Sequence, residues 1–218
     1  MFNLESSDKM RLRNVKNAKN IVGNSSYVIH IPQDYKGKYN KEIFKNNNPI
    51  HLEIGMGKGN FIIDMALKNP DINFIGLEKY DSIVCRALEK LEDKEINNLK
   101  IMCIDALALR DIFDKEIETI YLNFSDPWPK TRHAKRRLTS NVFLPIYDKI
   151  FKDECVIVQK TDNVGLFESS IITLTNYGYK IEDISLDLAN TDRPNSLTEY
   201  ESKFMEMGIK INYFKAKK

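Results

Sequence analysis

From position 49 onward, short apolar runs alternate with segments in which apolar residues recur every three or four positions. The runs are typical of buried strands, and the three-to-four spacing is typical of helices that pack by one face. The predicted strands are 50–55, 72–78, 99–105, 119–124, 155–161, 179–188 and 208–214. This alternation predicts an α/β fold with a mostly parallel seven-stranded sheet, helices on both faces and an antiparallel closing hairpin.

The first 45 residues differ in composition from the rest. They are polar and rich in Asn and Lys, and 27–31 is the one segment among them whose pattern predicts a strand. We therefore predict two parts, an N-terminal basic extension over 1–45 that is partly flexible and a globular domain over 46–218.

Composition narrows the class of protein. Of 218 residues, 42% are apolar and 29% charged, as in soluble globular proteins. No run approaches the ~18 apolar residues of a membrane helix, and Glu5 and Asp8 stand where a secretory signal is apolar, so we predict a cytoplasmic protein that does not enter a membrane.

The cysteines and histidines show no pattern of paired ligands. Cys85, Cys103 and Cys155 lie far apart, and the histidines are scattered, so we expect no disulfides and no metal site.

The charge is unevenly distributed. The net charge is only +2, but the runs 9–19 and 130–137 each hold five basic residues and no acidic one, so the remainder is net acidic. Either run alone is also what a solvated loop looks like. Two basic runs on an acidic body indicate contact with a polyanion such as a nucleic acid.

A glycine-rich turn follows the first predicted strand. Gly55, Gly57 and Gly59 permit a tight turn and a close approach of a ligand to the backbone. Nucleotide, dinucleotide and S-adenosylmethionine sites all use such turns, and a purely structural turn is the simpler alternative. A phosphate loop for ATP or GTP has Lys and then Ser or Thr directly after its last glycine. That pair is missing after Gly59, so the pattern disfavours such a loop.

Three acidic residues lie at the ends of three successive predicted strands, where α/β sheets bind ligands. They are Glu53, Glu78 and Asp105. Each alone is explained equally well as a helix cap or a loop residue. Together they complement the sulfonium and ammonium of S-adenosyl-L-methionine, whereas they would repel the pyrophosphate of a dinucleotide.

The fourth strand end carries the most specific feature, a loop over 123–130. Pro127 and Pro129 fix the backbone on either side of Trp128, whose indole can stack on a splayed base. Asp126 can accept hydrogen bonds from the edge of a guanine, and Lys130 begins the second basic run. Core packing of the Trp and a turn-capping Asp are the structural alternatives.

Several motifs occur in a fixed order: LEIGMGKG at 52–59, GLE at 76–78, LNFSDPWPK at 122–130 with its basic continuation to 138, TDN at 161–163 and TEYE at 198–201. With them the chain resembles the bacterial-type tRNA (guanine-N7-)-methyltransferases from about position 10 onward. The resemblance implies a Rossmann-like class I methyltransferase domain over 46–218. It also implies methyl transfer from S-adenosyl-L-methionine to N7 of guanine 46 in the variable loop of tRNA. Gln159 departs from the family, where an aromatic residue is commoner.

By position, the resemblance assigns roles to three groups of residues. The implied cofactor contacts are Glu53, Glu78, Asp105 and Asp126, beside the turn of Gly55, Gly57 and Gly59. Asp126 also matches the family's proposed catalytic residue. The implied substrate-binding residues are Lys130, Asp162, Thr198, Glu199, Tyr200 and Glu201, and the implied RNA-contacting residues are Arg132, His133, Lys135, Arg136 and Arg137.

The chemistry of guanine N7 agrees with this set. N7 of neutral guanine carries a lone pair and no proton, so its attack on a sulfonium methyl needs no general base. We expect Asp126 to orient the guanine and to stabilise the developing positive charge. Three alternatives stay open: a methyltransferase for a protein amide or exocyclic amine, an RNA-binding module without catalysis, and an NAD-dependent oxidoreductase. Monomer and homodimer are equally open.

Overall fold

The computed structural model describes residues 15, 17–193 and 195–218, which form a seven-stranded sheet in the order β3-β2-β1-β4-β5-β7-β6. The strands are β1 (Ile50–Ile54), β2 (Asn73–Glu78), β3 (Leu99–Cys103), β4 (Ile117–Asn123), β5 (Phe151–Thr161), β6 (Lys180–Ser185) and β7 (Asn212–Lys217). Strands β1 to β5 run parallel, and β7 lies antiparallel between β5 and β6. The predicted sheet is confirmed.

Helices cover both faces of the sheet, as predicted. They are α1 (Ala18–Asn24), α2 (Asn60–Lys68), α3 (Asp81–Glu89), α4 (Leu109–Ile112), α5 (Leu144–Ile150), α6 (Val164–Asn176) and α7 (Glu199–Glu206). One core cluster joins α1, α2 and α3 to the sheet, and the other joins α4, α5 and α6 to it. Because both faces are covered, most side chains of β1 to β4 are buried, including polar ones such as Glu53 and Asn123.

The segment before β1 packs against this core. Tyr39 is fully buried, its ring lies 4.7 Å from that of Phe113, and its hydroxyl donates to the carbonyl of Pro32 at 2.7 Å. Glu116 accepts from the backbone N–H groups of Gly37 and Tyr39. The partly flexible extension over 1–45 stays a prediction, and most of the basic run 9–19 lies outside the described residues.

Three predicted elements differ most from the structure, and one of them is the closing strand predicted at 208–214, which is β7 at Asn212–Lys217. The strand predicted at 27–31 is wrong: within the described chain this segment forms an isolated bridge between Val28 and Ile101, because Pro32 starts a 3₁₀ helix directly afterwards. Strand β5 begins four residues earlier than predicted, because Phe151 is buried and pairs with Ile117. The exposed charged residues 152–154 hide this start from an apolar pattern.

Candidate active site

A cleft of about 240 Å³ opens where β1 and β4 end, the point at which the strand order reverses. Glu53 and Asn123 line its base, and the turn from Gly55 to Gly59 forms one side. The start of α7, with Thr198 and Tyr200, also lines the cleft. The cleft therefore brings together parts of the sequence that lie almost 150 positions apart.

The glycine turn needs its glycines. Gly55, Gly57 and Gly59 have φ of +77°, +56° and +78°, in the left-handed region that side chains disfavour. At Gly59 a Cβ atom would also lie 3.1 Å from that of Ala87 in α3. The turn leads into α2 at Asn60, so the backbone reverses within a few residues beside the cleft.

Glu53 is buried with an incomplete set of partners. Its side chain is in β1 and is only 1% exposed, and Oε1 accepts from Asn123 Nδ2 at 2.8 Å. Among the described residues, neither Glu53 Oε2 nor Asn123 Oδ1 has a hydrogen-bond partner. Burial raises the pKa of Glu53 to about 7, although Asn123 and the charge of Lys160 oppose the rise. Two unpaired acceptors at the base of a cleft suit a cationic or N–H-bearing ligand.

We expect Glu53→Gln to stabilise the ligand-free protein at pH 8 by up to about 3 kcal/mol. The folded-state pKa of Glu53 lies above the ordinary 4.5, so folding favours the protonated carboxyl. The stability of the wild type is therefore highest below pH 4.5 and falls as the pH rises through about 7, where the buried carboxyl must ionise. The amide avoids this loss and can still accept from Asn123. Denaturant unfolding at pH 5 and pH 8 measures the difference, with exposed Glu95→Gln as the control. Equal stability of variant and wild type at pH 8 would contradict a buried charge at this position.

The other two acids of the predicted row also lie at this edge of the sheet. Glu78, at the end of β2, is buried and accepts from the backbone N–H groups of Lys79, Tyr80 and Gly57. Burial raises the pKa of Glu78, and the negative charge of Asp126 adds to the rise, so these two carboxylates lie close enough to interact. The Gly57 contact ties Glu78 to the glycine turn.

Asp105 is the most exposed of the three acids at the strand ends. It caps a short 3₁₀ helix by accepting from the N–H of Leu107, and its other oxygen pairs with Lys79 Nζ at 2.7 Å. Both contacts lower its pKa. The structural alternative, a capping acid, therefore describes Asp105, and its predicted cofactor contact stays a prediction.

The loop after β4 is strained at both ends. Phe124 and Trp128 adopt φ of +48° and +41°, and such a conformation costs an L-residue about 1–2 kcal/mol. Trp128 also precedes Pro129, which restricts its backbone further. Asp126 lies between these two strained residues and is exposed. A strained loop that presents an accessible carboxylate is typical of a functional site.

Trp128 has contacts of its own. The Arg136 guanidinium lies 4.8 Å from its ring, and the His133 ring meets it edge-on at 5.8 Å. The aromatic residues on the cleft itself are Phe61, Phe124 and Tyr200, with Phe124 and Tyr200 stacked at 6.2 Å. Base stacking by Trp128 stays a prediction, and the sequence analysis missed Phe61 and Phe124.

Helix α7 is fixed over the cleft by a buried ion pair. Lys160, near the end of β5, is 4% exposed and donates to Glu201 Oε2 at 3.1 Å and to the Ser196 carbonyl at 2.8 Å. It also bonds Asn195 and lies 4.9 Å from the ring of Phe61. Burial lowers the pKa of Lys160, and Glu201 opposes this shift. The sequence analysis missed Lys160, although a lysine in an apolar strand was a usable signal.

The four residues of the TEYE motif divide into two kinds. Thr198, Glu199 and Tyr200 line the cleft, and Glu199 pairs with Lys58 of the glycine turn at 3.0 Å. Glu201 is 1% exposed, and its carboxylate is engaged by Lys160, by Asn195 and by the N–H of Thr198 in a capping box. The structure thus places Glu201 in the support of α7, whereas the other three face the cleft.

The remaining predicted residues, Lys130, Asp162 and the basic run, are not among those that line the cleft. Lys130 and Asp162 are exposed, at the ends of the β4 loop and of β5. Of the basic run, Arg132, Lys135 and Arg136 are exposed, and His133 and Arg137 are half-buried. In the part of the chain that is described, no cluster of three His, Cys, Asp or Glu residues is placed to hold a metal, and no helix is long and apolar enough to cross a membrane.

Solved structures of low sequence identity share this fold. An antibiotic-related methyltransferase matches with a TM-score of 0.62 at 18% identity, over 87% of this chain and 95% of its own. A 16S rRNA methyltransferase matches with a TM-score of 0.61 at 12% identity, over 83% and 92%. Fibrillarin from Aeropyrum pernix, solved with bound S-adenosyl-L-methionine, matches at 0.52 and 15%, over 80% and 68%. The strand order and the cleft at its reversal define a class I, Rossmann-like methyltransferase fold.

Sequence comparison narrows the class. Residues 47–213 match a family described as putative methyltransferases. The tRNA (guanine-N(7)-)-methyltransferase of Lachnoclostridium phytofermentans is 48% identical over 93% of this chain and 96% of its own. Those of Lysinibacillus sphaericus and Bacillus subtilis are 51% and 47% identical, again over 93% of this chain and over 95% and 96% of their own. The chain belongs to the tRNA (guanine-N(7)-)-methyltransferase family, and the predicted membership is confirmed.

Proposed function

We propose that this protein transfers the methyl group of S-adenosyl-L-methionine to N7 of guanine 46 in the variable loop of tRNA, in the cytoplasm. The names of its relatives support tRNA guanine N7 as the acceptor. The structural observation that carries the proposal is the pair of unpaired buried acceptors, Glu53 Oε2 and Asn123 Oδ1, at the base of a cleft in a methyltransferase fold.

The residues at the cleft fit this methyl donor. S-adenosylmethionine supplies a methyl group on a sulfonium and also carries an ammonium, and both charges are complementary to buried carboxylate and amide oxygens. Glu53 and Asn123 would hold its cationic part, and the backbone of the glycine turn would lie against it. Glu78 and Asp105, at the next two strand ends, would hold hydroxyl groups. The three N–H donors on Glu78 keep its carboxylate oriented.

On the other side of the cleft, α7 and the loop after β4 would hold the guanine. Phe124 and Tyr200 offer a stacked aromatic surface, and Thr198 and Glu199 line the same wall. Lys130, at the end of the loop after β4, and Asp162, directly after β5, are exposed and available for substrate contacts. A purine lying between this wall and the glycine turn would present N7 toward the donor, and such positioning supplies a large part of the barrier reduction.

Asp126 is the proposed catalytic residue. N7 carries no proton, so Asp126 would not act as a base there; it would accept hydrogen bonds from the guanine edge and stabilise the cationic product. Its loop is held by two hydrogen bonds from Arg137 to the carbonyls of Pro127 and Trp128, which would limit the movement of the carboxylate before the substrate binds. The nearby charge of Glu78 raises the negative potential where positive charge develops.

The exposed basic residues after this loop would contact phosphates of the tRNA. We expect Arg132→Gln to weaken tRNA binding and to reduce the slope of log affinity against log salt by about 0.7–0.9, because one counterion-releasing contact is lost. Filter binding from 50 to 300 mM salt measures the slope. Arg110→Gln, with the same change of charge in α4, serves as the control. An unchanged slope for Arg132→Gln would place Arg132 outside the RNA surface.

The decisive experiment is transfer of labelled methyl from S-adenosylmethionine to unmodified bulk tRNA, followed by nucleoside analysis. The expected product is N7-methylguanosine, and reduction followed by aniline cleavage should cut the tRNA at position 46. A labelled protein would instead favour the amide methyltransferase. Calorimetric titration with S-adenosylmethionine distinguishes an RNA-binding module without catalysis, which has no need of the donor, and an NAD titration tests the oxidoreductase.

A further inference from the structure

We infer that Arg137 is a positioning residue for the Asp126 loop, acting through backbone contacts and not through the RNA phosphates. The inference rests on the proposed function, because it concerns how the proposed catalytic carboxylate is held. It differs from the role that the basic run predicts for this arginine.

The guanidinium of Arg137 contacts the backbone of the loop after β4. Its Nε donates to the carbonyl of Pro127 at 3.0 Å, and its Nη2 donates to the carbonyl of Trp128 at 3.1 Å. Both donors belong to one edge of the planar guanidinium, so their spacing is fixed by the group itself. Arg137 is half-buried, whereas Arg132, Lys135 and Arg136 of the same run are exposed.

The two accepting carbonyls lie on either side of the Cα of Trp128. Their mutual orientation is determined by φ and ψ of Trp128, the residue held at φ +41° before Pro129. A donor pair of fixed spacing therefore selects this left-handed conformation. Without it, the loop would relax toward ordinary backbone angles, and Asp126, two residues earlier, would move with it.

The main chain around Arg137 positions this pair of hydrogen bonds, which we call the Arg137 clamp. The 3₁₀ helix at Thr131–Arg136 folds the chain back, and the N–H of Arg137 donates to the carbonyl of Ala134 at 3.0 Å. Arg136 and His133 then contact the indole of Trp128. The basic run thus divides into two parts. Its exposed members are available to phosphates, and Arg137 holds the loop.

Arg137→Lys separates charge from geometry. The lysine keeps the positive charge and could still meet a phosphate, but it lacks the planar pair of donors. We expect kcat at saturating tRNA to fall about tenfold or more, since only a fraction of molecules would hold the competent loop. Arg137→Gln should lose at least as much while keeping the wild-type salt slope of tRNA binding. Rates are normalised to the fraction of enzyme that binds S-adenosylmethionine, which removes losses due to misfolding.

The single tryptophan of the chain gives a direct readout. Trp128 is the only Trp, so emission excited at wavelengths that tyrosine does not absorb reports on this loop alone. Arg137→Lys should shift the emission to the red and raise acrylamide quenching, and Arg132→Lys, the matched control in the same run, should do neither. Wild-type kcat and unchanged emission in Arg137→Lys, or a reduced salt slope in Arg137→Gln, would overturn the inference. Absence of N7-methylguanosine from the wild-type reaction would contradict the proposed function instead. The fluorescence comparison would still show whether Arg137 holds the loop.

Discussion

Asp126→Asn is expected to lower kcat/KM for tRNA methylation by 100- to 1000-fold, about 2.7–4 kcal/mol of transition-state stabilisation. The amide keeps the size of the side chain but removes the negative charge that would stabilise the methylated purine. It also places an N–H group where an acceptor is required. Steady-state kinetics with unmodified tRNA measures the loss, and we expect most of it in kcat, because the charge on the guanine develops only during methyl transfer.

The control is Asp71→Asn, an exposed aspartate in the turn before β2 that undergoes the same chemical change. It should retain wild-type kinetics. Calorimetric titration with S-adenosylmethionine should show that Asp126→Asn still binds the donor, because the other implied cofactor contacts, Glu53, Glu78 and the glycine turn, are intact. A loss smaller than tenfold in kcat/KM would rule out a catalytic role for Asp126 and leave it as a turn residue.

Lys160→Met is expected to lower the free energy of unfolding by about 3–5 kcal/mol, because it leaves Glu201 as a buried charge without its cationic partner. The Glu201 side chain is 1% exposed and is held by Lys160 at 3.1 Å. The same change should release α7 from the end of β5, and with it Thr198 and Tyr200 on the cleft. Urea unfolding measures the stability, and limited proteolysis near 195–207 measures the release of the helix.

The double variant Lys160→Met/Glu201→Leu distinguishes a buried charge from lost packing. It removes both charges together, so it should recover most of the stability that the single variant loses. Its methylation activity should stay low, because α7 would still lack the polar contacts that place it. A single-variant loss below about 1 kcal/mol would show that the pair is solvated and does not hold the helix.

The sheet could be predicted because its signal is local. Strands β1 to β4 are short apolar runs bounded by Gly, Pro and charged residues, and burial on both faces makes such runs plain in the sequence. The errors arise where tertiary contacts decide. Phe151 joins β5 through its pairing with Ile117, and 27–31 pairs with the sheet only at the bridge between Val28 and Ile101. Neither effect is present in local periodicity.

The site was predictable in part for the same reason. The glycine turn, Glu53 and Asp126 each lie at a strand end, so the sheet alone places them. Asn123 and Lys160 were not predicted, because their importance depends on partners distant in sequence. Asn123 donates to Glu53 on the neighbouring strand, and Lys160 donates to Glu201 some 40 positions later. A run of basic letters likewise does not reveal that Arg137 turns inward.

The position of β7 has a consequence for how the chain is made. β5 and β6 are both hydrogen-bonded to β7, whose residues come some fifty positions after the end of β5. While a ribosome is still adding residues before 212, β6 has no strand beside it and β5 has one bare edge. Such unpaired edges favour association with other chains. We therefore expect nascent chains halted before 212 to need chaperone protection, and chains released after 217 to close the sheet themselves.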